Sequence, residues 1–352
     1  MAIAANDRSA MSGAARVEPI LCLPEILRGF GLRPENVFAK AAVSISILDS
    51  ADNYISYDTF GRLLAAAAAA TRCAHIGLLI AAWGGLTRLG PLGRFATNAS
   101  TVGAALSDLI RGIPRVVRAL TVSLEKSGGA AILRCYLFEP NVLGGALIRE
   151  TIVATMVQVL RELCGPAWRP DLVMFSHRAH GPTSPYVKFF RASVAFNSSS
   201  AGLTFSARDL RRPVSLASQA VREAVKEQFG RLDAGATDMF CDRVRRQIHA
   251  AMERGQFGEL SIARSLNVDT STLRRKLAQE GAKFRSVVQE IKFGIATQLI
   301  VDTDLTLADV AAAIGFYESS VFSRAFRRWS GLTPSQWRER EKSFPRLLGR
   351  AC

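Results

Sequence analysis

Two short stretches of this 352-residue chain are crowded with side chains that can read the edge of a nucleic-acid base. The first presents Ser271, Thr272, Arg274, Arg275 and Gln279, and the second Ser319, Ser320, Ser323, Arg324, Arg327 and Arg328. An arginine guanidinium pairs bidentately with guanine, a glutamine amide pairs with adenine, and Ser or Thr hydroxyls bond bases or phosphates. Apolar residues recur between these positions at helical spacing: Leu273 and Leu277 in the first stretch, Phe322 and Phe326 in the second. Each stretch is therefore expected to be a helix with one packed face and one polar face. For a single such helix, an ordinary solvated surface is the better explanation.

The elements around the two faces weigh against that plainer explanation. Ile262-Ala263-Arg264-Ser265-Leu266-Asn267-Val268 precedes the first stretch, and Val310-Ala311-Ala312-Ala313-Ile314-Gly315-Phe316 precedes the second. Each is a short helical run with a β-branched residue followed by Ala, which permits close helix crossing, and each ends in a turn of three or four residues. This is the layout of a helix-turn-helix unit, and it occurs twice. Phe284 to Val301 reads as one long helix joining the copies. At about 1.5 Å per residue it spans roughly 27 Å, against about 34 Å between successive major grooves on one face of DNA. Asp269 is a suitable N-cap for the first polar helix, whereas the second begins after Tyr317-Glu318, where Glu318 suits the helix dipole.

Other chemistries are poorly supplied. The histidines are His75, His177, His180 and His249. His177 and His180 lie close together in a Gly/Pro loop and are read either as lining a ligand pocket or as structural residues. No Glu, Asp or Cys accompanies them at metal-ligand spacing, so no metal site is expected. The cysteines (Cys22, Cys73, Cys135, Cys164, Cys241, Cys352) form no CxxC pair and suit a reducing cytoplasm. There is no glycine-rich phosphate loop and no GxSxG elbow, and no reactive Cys beside a base. No catalytic residue, no cofactor and no enzymatic activity are expected. Phe189, Phe190 and Phe196 either line a pocket or pack the core. The net charge of +15 favours polyanionic partners. It is not focused, because residues 236–352 hold 19 Lys+Arg against 13 Asp+Glu, only +6. The longest apolar stretch, Leu63 to Leu86, is interrupted by Thr71, Arg72 and His75, and falls short of a membrane span. No signal peptide is visible.

The rest of the chain reads as a separate α+β domain. Helices are expected at Leu32 to Ser46, Tyr57 to Arg72, Thr101 to Leu120 (interrupted near Gly112 and Pro114) and Gly145 to Leu163. A hairpin is expected from Ala119–Lys126 and Ala130–Glu139 around Ser127-Gly128-Gly129. Strands are expected at Asp171–Phe175 and Ser193–Asn197, separated by a Gly/Pro/Ser loop. The division is a disordered leader at 1–17, an effector-binding and dimerising domain at 18–210, a linker at 211–236, an all-α domain with two helix-turn-helix units joined by a long helix at 237–342, and a tail at 343–352. The linker, with a helix through Ser218–Phe229, is expected to carry the signal between the domains.

Residues 237–342 resemble the DNA-binding domain of the AraC/XylS family of transcription regulators. Val310 to Arg338 follows the family pattern nearly throughout: Ala then Gly-Phe, Ser then Phe, Arg-Ala-Phe, Gly, Pro and a final aromatic-Arg. Leu273-Arg274-Arg275-Lys276-Leu277 and Gly281 match the first unit. Ser271 departs from a common Arg, and Tyr317 from a common Ser. Residues 20–210 resemble, more loosely, the arabinose-binding-like domain of the ornithine- and arginine-responsive branch, through Gly77-Leu78, Leu89-Gly90-Pro91-Leu92-Gly93, Trp168-Arg169-Pro170 to His177, and Tyr186 to Phe196. The resemblance implies a cytoplasmic, sequence-specific regulator, an activator under the control of a small molecule. Its implied partners are double-stranded promoter or operator DNA, the effector, a second copy of the chain and RNA polymerase, with no membrane. A non-specific nucleic-acid-binding protein without a ligand is the alternative.

Overall fold

A computed structural model describes residues 14–117, 119–137, 142–214, 239–252 and 257–343, together with 218, 220, 221 and 223. The N-terminal domain is built on a five-stranded sheet, β3 (Leu120–Ser127), β4 (Ala130–Leu137), β5 (Leu172–Met174), β6 (Ser193–Ala195) and β7 (Ala201–Ser206), in the order β3-β4-β7-β5-β6. The hairpin forms as expected, with Leu124 opposite Leu133. Gly128 and Gly129 both take positive φ at its turn, the conformation a two-residue hairpin loop demands. Strand β7, which the sequence reading passed over, lies at the centre and pairs antiparallel with both β4 and β5. Strand β5 runs parallel to β6. The loop expected between them contains a helix, Ser184–Phe190, which supplies the crossover that parallel pairing requires.

Helices cover the sheet. The central one is α7 (Gly145–Cys164), buried along nearly its whole length, including Arg149, Glu150 and Thr151. It packs on α4 (Ile76–Ala82) and α3 (Tyr57–Thr71) on one side, and on the sheet and α6 (Val102–Val116) on the other. Helix α6 runs unbroken through Pro114, where an interruption was expected. The first expected helix shrinks to Pro34–Lys40, with Ala42 in the left-handed region just beyond it. Ala14–Arg16 forms strand β1 against β2 (Tyr54–Ser56), and Val17 is fully buried, so 14–17 belong to the fold and not to the expected leader, whose residues 1–13 lie outside the described residues. At the other end of the domain, Val102 donates its N–H to the Arg212 carbonyl (3.0 Å), and Thr101 bridges Pro213, so the fold holds the chain to about residue 214. Most of the expected linker, its helix and the tail after 343 lie outside the described residues.

The second domain is all helix and keeps its own core, from Phe240 and Val244 to Phe322 and Phe326. With α8 given to Ser184–Phe190, its elements are α9 (Phe240–Met252), α10 (Glu259–Ser265), α11 (Thr270–Gln279), α12 (Phe284–Asp302), α13 (Leu307–Ala313), α14 (Ser319–Ser330) and α15 (Pro334–Ser343). The connecting helix expected at Phe284 to Val301 is present and runs one residue further, to Asp302. Among the described residues no single helix is long and apolar enough to cross a membrane. The pair α3–α4 passes on composition but is bent by 106° and lies in the domain core.

Candidate nucleic-acid interface and the domain junction behind it

In the first helix-turn-helix unit, α10 crosses α11. Ala263 is fully buried at the crossing and Asn267 takes φ 55° in the turn. In the second, α13 and α14 repeat the arrangement with Ala311 buried and Gly315 at φ 75°. Asn and Gly are the residues that tolerate the left-handed conformation this tight turn imposes. Leu273 and Leu277 turn inward from α11, and Phe322, Ala325 and Phe326 from α14. The remaining faces point to solvent. Ser271, Arg274, Arg275, Gln279, Ser319, Ser320, Arg324, Arg327 and Arg328 are exposed, while Thr272 and Ser323 are half-buried. The structure therefore collects the predicted contact residues on the outer faces of two helices.

The two units hold their reading helices differently. Asp269 caps α11: Thr272 donates its N–H to Asp269 Oδ1 (2.7 Å), and the Ser271 and Thr272 hydroxyls donate to the same carboxylate (2.7 and 2.9 Å). These bonds stabilise the anion and hold its pKa well below the usual carboxylate value. Ser271 is thus already engaged in the cap. Arg274 makes a two-bond ion pair with Glu259 on α10 (2.7 and 2.9 Å), an interaction that sequence spacing did not reveal. Helix α14 starts at Glu318 with no side-chain cap, and Tyr317 before it is fully exposed. Its anchor is aromatic instead: Phe293, Phe316, Phe322, Phe326, Trp329 and Trp337 form a continuous set of ring contacts at 5.4–6.2 Å.

Helix α12 joins the units, and its 19 residues span about 28 Å. Its far end is clasped by the N-terminal domain. Arg149 of α7 pairs with Asp302, 153 positions away. The Arg178 guanidinium donates to the carbonyls of Val301 (3.2 Å) and Thr303 (2.9 Å), and lies 3.3 Å from Asp304. Arg178 also donates its backbone N–H to the Asp302 carbonyl (2.7 Å), and Gln298 donates to the Ser176 carbonyl (2.7 Å). Cations at a helix C-terminus answer both the unpaired carbonyls and the negative end of the dipole. From within the helical domain, Arg338 of α15 adds bonds to Ile300 and Leu305 carbonyls (3.2 and 2.8 Å). A second contact joins His249 of α9 to Tyr136 of β4, ring centroids 5.4 Å apart, where burial pulls His249 down to about 3. Between the two contacts lies a cavity of about 330 Å³ of mixed character, lined by Arg149, Arg245, Glu290 and Gln298 as well as Leu137 and Ile291.

Behind the Arg149 clasp, the loop histidines meet a residue that the sequence reading did not connect with them. Glu150, fully buried on α7, accepts a hydrogen bond from Tyr186 Oη (2.7 Å), and its Oε1 lies 3.6 Å from His177 Nε2. His180 stacks on His177 at 5.3 Å. Burial raises Glu150 to about 8 and drives His177 well below 6.5, so the two are a neutral pair at pH 7, not an ion pair. Phe175, Phe190 and Phe196 pack around this cluster as core rather than lining a pocket. A separate apolar cavity of about 170 Å³ lies between α6, α7 and the hairpin, lined by Leu109, Ile113, Val122, Leu133, Ile152 and Met156 among others.

A family model described as the arabinose-binding domain of AraC transcription regulators, N-terminal, matches residues 31–214, just over half of the chain. The chain belongs to the AraC family. A helix-turn-helix domain model matches residues 262–340, which covers both reading helices. The regulator is similar to the HTH-type transcriptional regulator VirS of Mycobacterium tuberculosis, at 27% identity over 320 residues, 89% of this chain and 93% of the relative. It is equally similar to the ornithine utilization regulator of Pseudomonas aeruginosa, 27% identical over 320 residues, 90% of this chain and 94% of that one. A crystal structure of the transcriptional regulator CdpR from Pseudomonas aeruginosa aligns over 88% of this chain and 98% of its own, at 22% identity and a TM-score of 0.43. The protein is thus a transcription regulator with an N-terminal ligand-binding domain and a C-terminal helix-turn-helix DNA-binding domain.

Proposed function

We propose that the regulator reads a specific operator by laying α11 and α14 in successive major grooves on one face of the DNA, and that it acts as an activator. The observation that carries this reading is the outward arginine face of each helix, held on a single 19-residue connecting helix of about the right length. Arg275, Arg324 and Arg327 are assigned to bases or phosphates. Arg274 reads DNA from within its ion pair with Glu259. A footprint on the DNA upstream of its own and neighbouring genes should protect two major-groove segments on one face per monomer. Arg324→Ala should cost about 1–3 kcal/mol of operator binding and relax specificity at one base pair. Unchanged affinity and selectivity in that variant would remove the base-reading role. Steep salt dependence without sequence preference would favour a non-specific binder instead.

The apolar cavity beside α7 supports an effector with a compact apolar body. Its walls belong to the N-terminal domain, and α7 also carries Arg149, so an occupant there acts on the helix that clasps the connecting helix. Differential affinity for the clasped and released arrangements shifts their populations. Signal transfer therefore runs through 176–178 and 298–304, in addition to the linker that the sequence suggested. In a thermal-shift screen an effector raises Tm. Met156→Trp fills the cavity and should abolish that rise; a rise that survives places the effector elsewhere. Dimerisation, contact with RNA polymerase, a cytoplasmic location and a purely regulatory, non-enzymatic role belong to the same proposal, and the regulators among the relatives support it.

A further inference from the structure

The cluster of Glu150, His177 and His180 combines chemistry that the regulatory reading does not use. Each residue offers one ligand atom, and the three atoms lie within 4.8 Å of one another. Glu150 and His177 are fully buried. Among the described residues, Glu150 Oε2, His177 Nε2 and His180 Nδ1 have no hydrogen-bond partner, although leaving such atoms unpaired in a protein interior is costly. The surroundings prepare two of the three for a cation. His177 Nδ1 sits 2.8 Å from the Arg178 carbonyl, which fixes the proton on Nδ1 and leaves the Nε2 lone pair facing Glu150. Tyr186 holds Glu150 Oε1, the oxygen nearest His177 Nε2, and so fixes the carboxylate with Oε2 free. A ring N–H on a backbone carbonyl and a hydrogen-bonded carboxylate are the supports that metal ligands ordinarily have.

We propose that Glu150, His177 and His180 bind one divalent transition-metal ion of the zinc class, and that the ion tightens the clasp on the connecting helix. Two imidazoles and one carboxylate suit zinc and its neighbours, with a fourth position left open. The nearby cations do not forbid it: Asp302 answers Arg149, while Asp304 and the α12 carbonyls answer Arg178. The coupling has a direct route, because Arg178 lies in the loop that the two histidines would pin. An added positive charge behind Arg149 and Arg178 also strengthens the attraction of this face for Asp302, Asp304 and the negative end of α12.

The test uses untagged, full-length protein stripped with a chelator and titrated with Co²⁺, then Zn²⁺. A visible d–d absorption should saturate at one equivalent per chain and bleach on addition of Zn²⁺. It should lack the strong thiolate charge-transfer band that ligation by a cysteine would produce. Glu150→Gln and His180→Ala should lose the signal, and Tyr186→Phe should weaken binding by about 10–100-fold. His180 is only half-buried, so His180→Ala keeps the test open if the Glu150 variant fails to fold. Amide hydrogen exchange over 298–304 should slow on adding metal to the parent and stay unchanged in His180→Ala. No d–d signal, a thiolate band, or a signal retained in His180→Ala would overturn the site. Binding without slowed exchange would overturn the coupling. None of these readouts uses DNA, so their failure leaves the operator-binding reading standing.

Discussion

The two helix-turn-helix units share a backbone plan but are stabilised by different means. The first is held by polar devices at its surface: the Asp269 cap on α11 and the Glu259–Arg274 pair between α10 and α11. It also leans on the rest of the molecule, since α9 supports it and touches Tyr136 of the N-terminal domain through His249. The second unit is held from inside by its aromatic set; α14 lacks a side-chain cap, while α13 carries a capping box formed by Thr306 and Asp309. Buried apolar area contributes far more per side chain than an exposed hydrogen bond or ion pair. The second unit accordingly depends most on its own core. The N-terminal domain reaches both units, the first through α9 and the second through the end of α12 that leads into α13.

Four substitutions test that contrast, from the largest expected effect to the smallest. Phe326→Ala empties the centre of the aromatic set, where the ring is fully buried, and should cost about 3–5 kcal/mol in chemical denaturation. A loss below 1 kcal/mol, on the order of an exposed-site change, would show that the second unit does not depend on its core. His249→Gln tests the dependence of the first unit on the N-terminal domain. The folded state keeps this ring neutral where the unfolded chain would protonate it, with Arg245 adding to the effect of burial. Stability should therefore be complete above about pH 6.5 and fall as pH drops toward 3, by up to about 1.4 kcal/mol per pH unit. The variant should show a shallower slope; parallel profiles would remove His249 from the account. The smallest effects come from the caps. Asp269→Ala should lower Tm, whereas Glu318→Ala should leave it nearly unchanged. Equal shifts would erase the distinction between the units.

The DNA-binding domain was legible because its information is local. Helix periodicity, turns of three or four residues and the repeat of Ala263/Asn267 at Ala311/Gly315 all lie within short windows, so the connecting helix could be read from Phe284 to Val301, one residue short of its end. In the N-terminal domain the hairpin and α7 were equally legible. Strand β7 was not, because its strand character depends on two neighbours distant in sequence. Crossover helix α8 was missed because Gly and Pro dominate the segment around it.

The sequence by itself determined the class of the protein and the outward polar faces of α11 and α14, since amphipathic period and turn chemistry suffice for both. Only the tertiary structure decided what those faces are attached to. Arg149 meets Asp302 across 153 positions, Arg178 reaches the carbonyls at the end of α12, and Glu150 joins two histidines from a different element. Such contacts are made by packing one element on another, and no spacing along a single element encodes them. The same packing turned a +15 chain with little charge focus into one with arginines at two separate tasks: some facing outward on the reading helices, others turned inward to hold the helix between them.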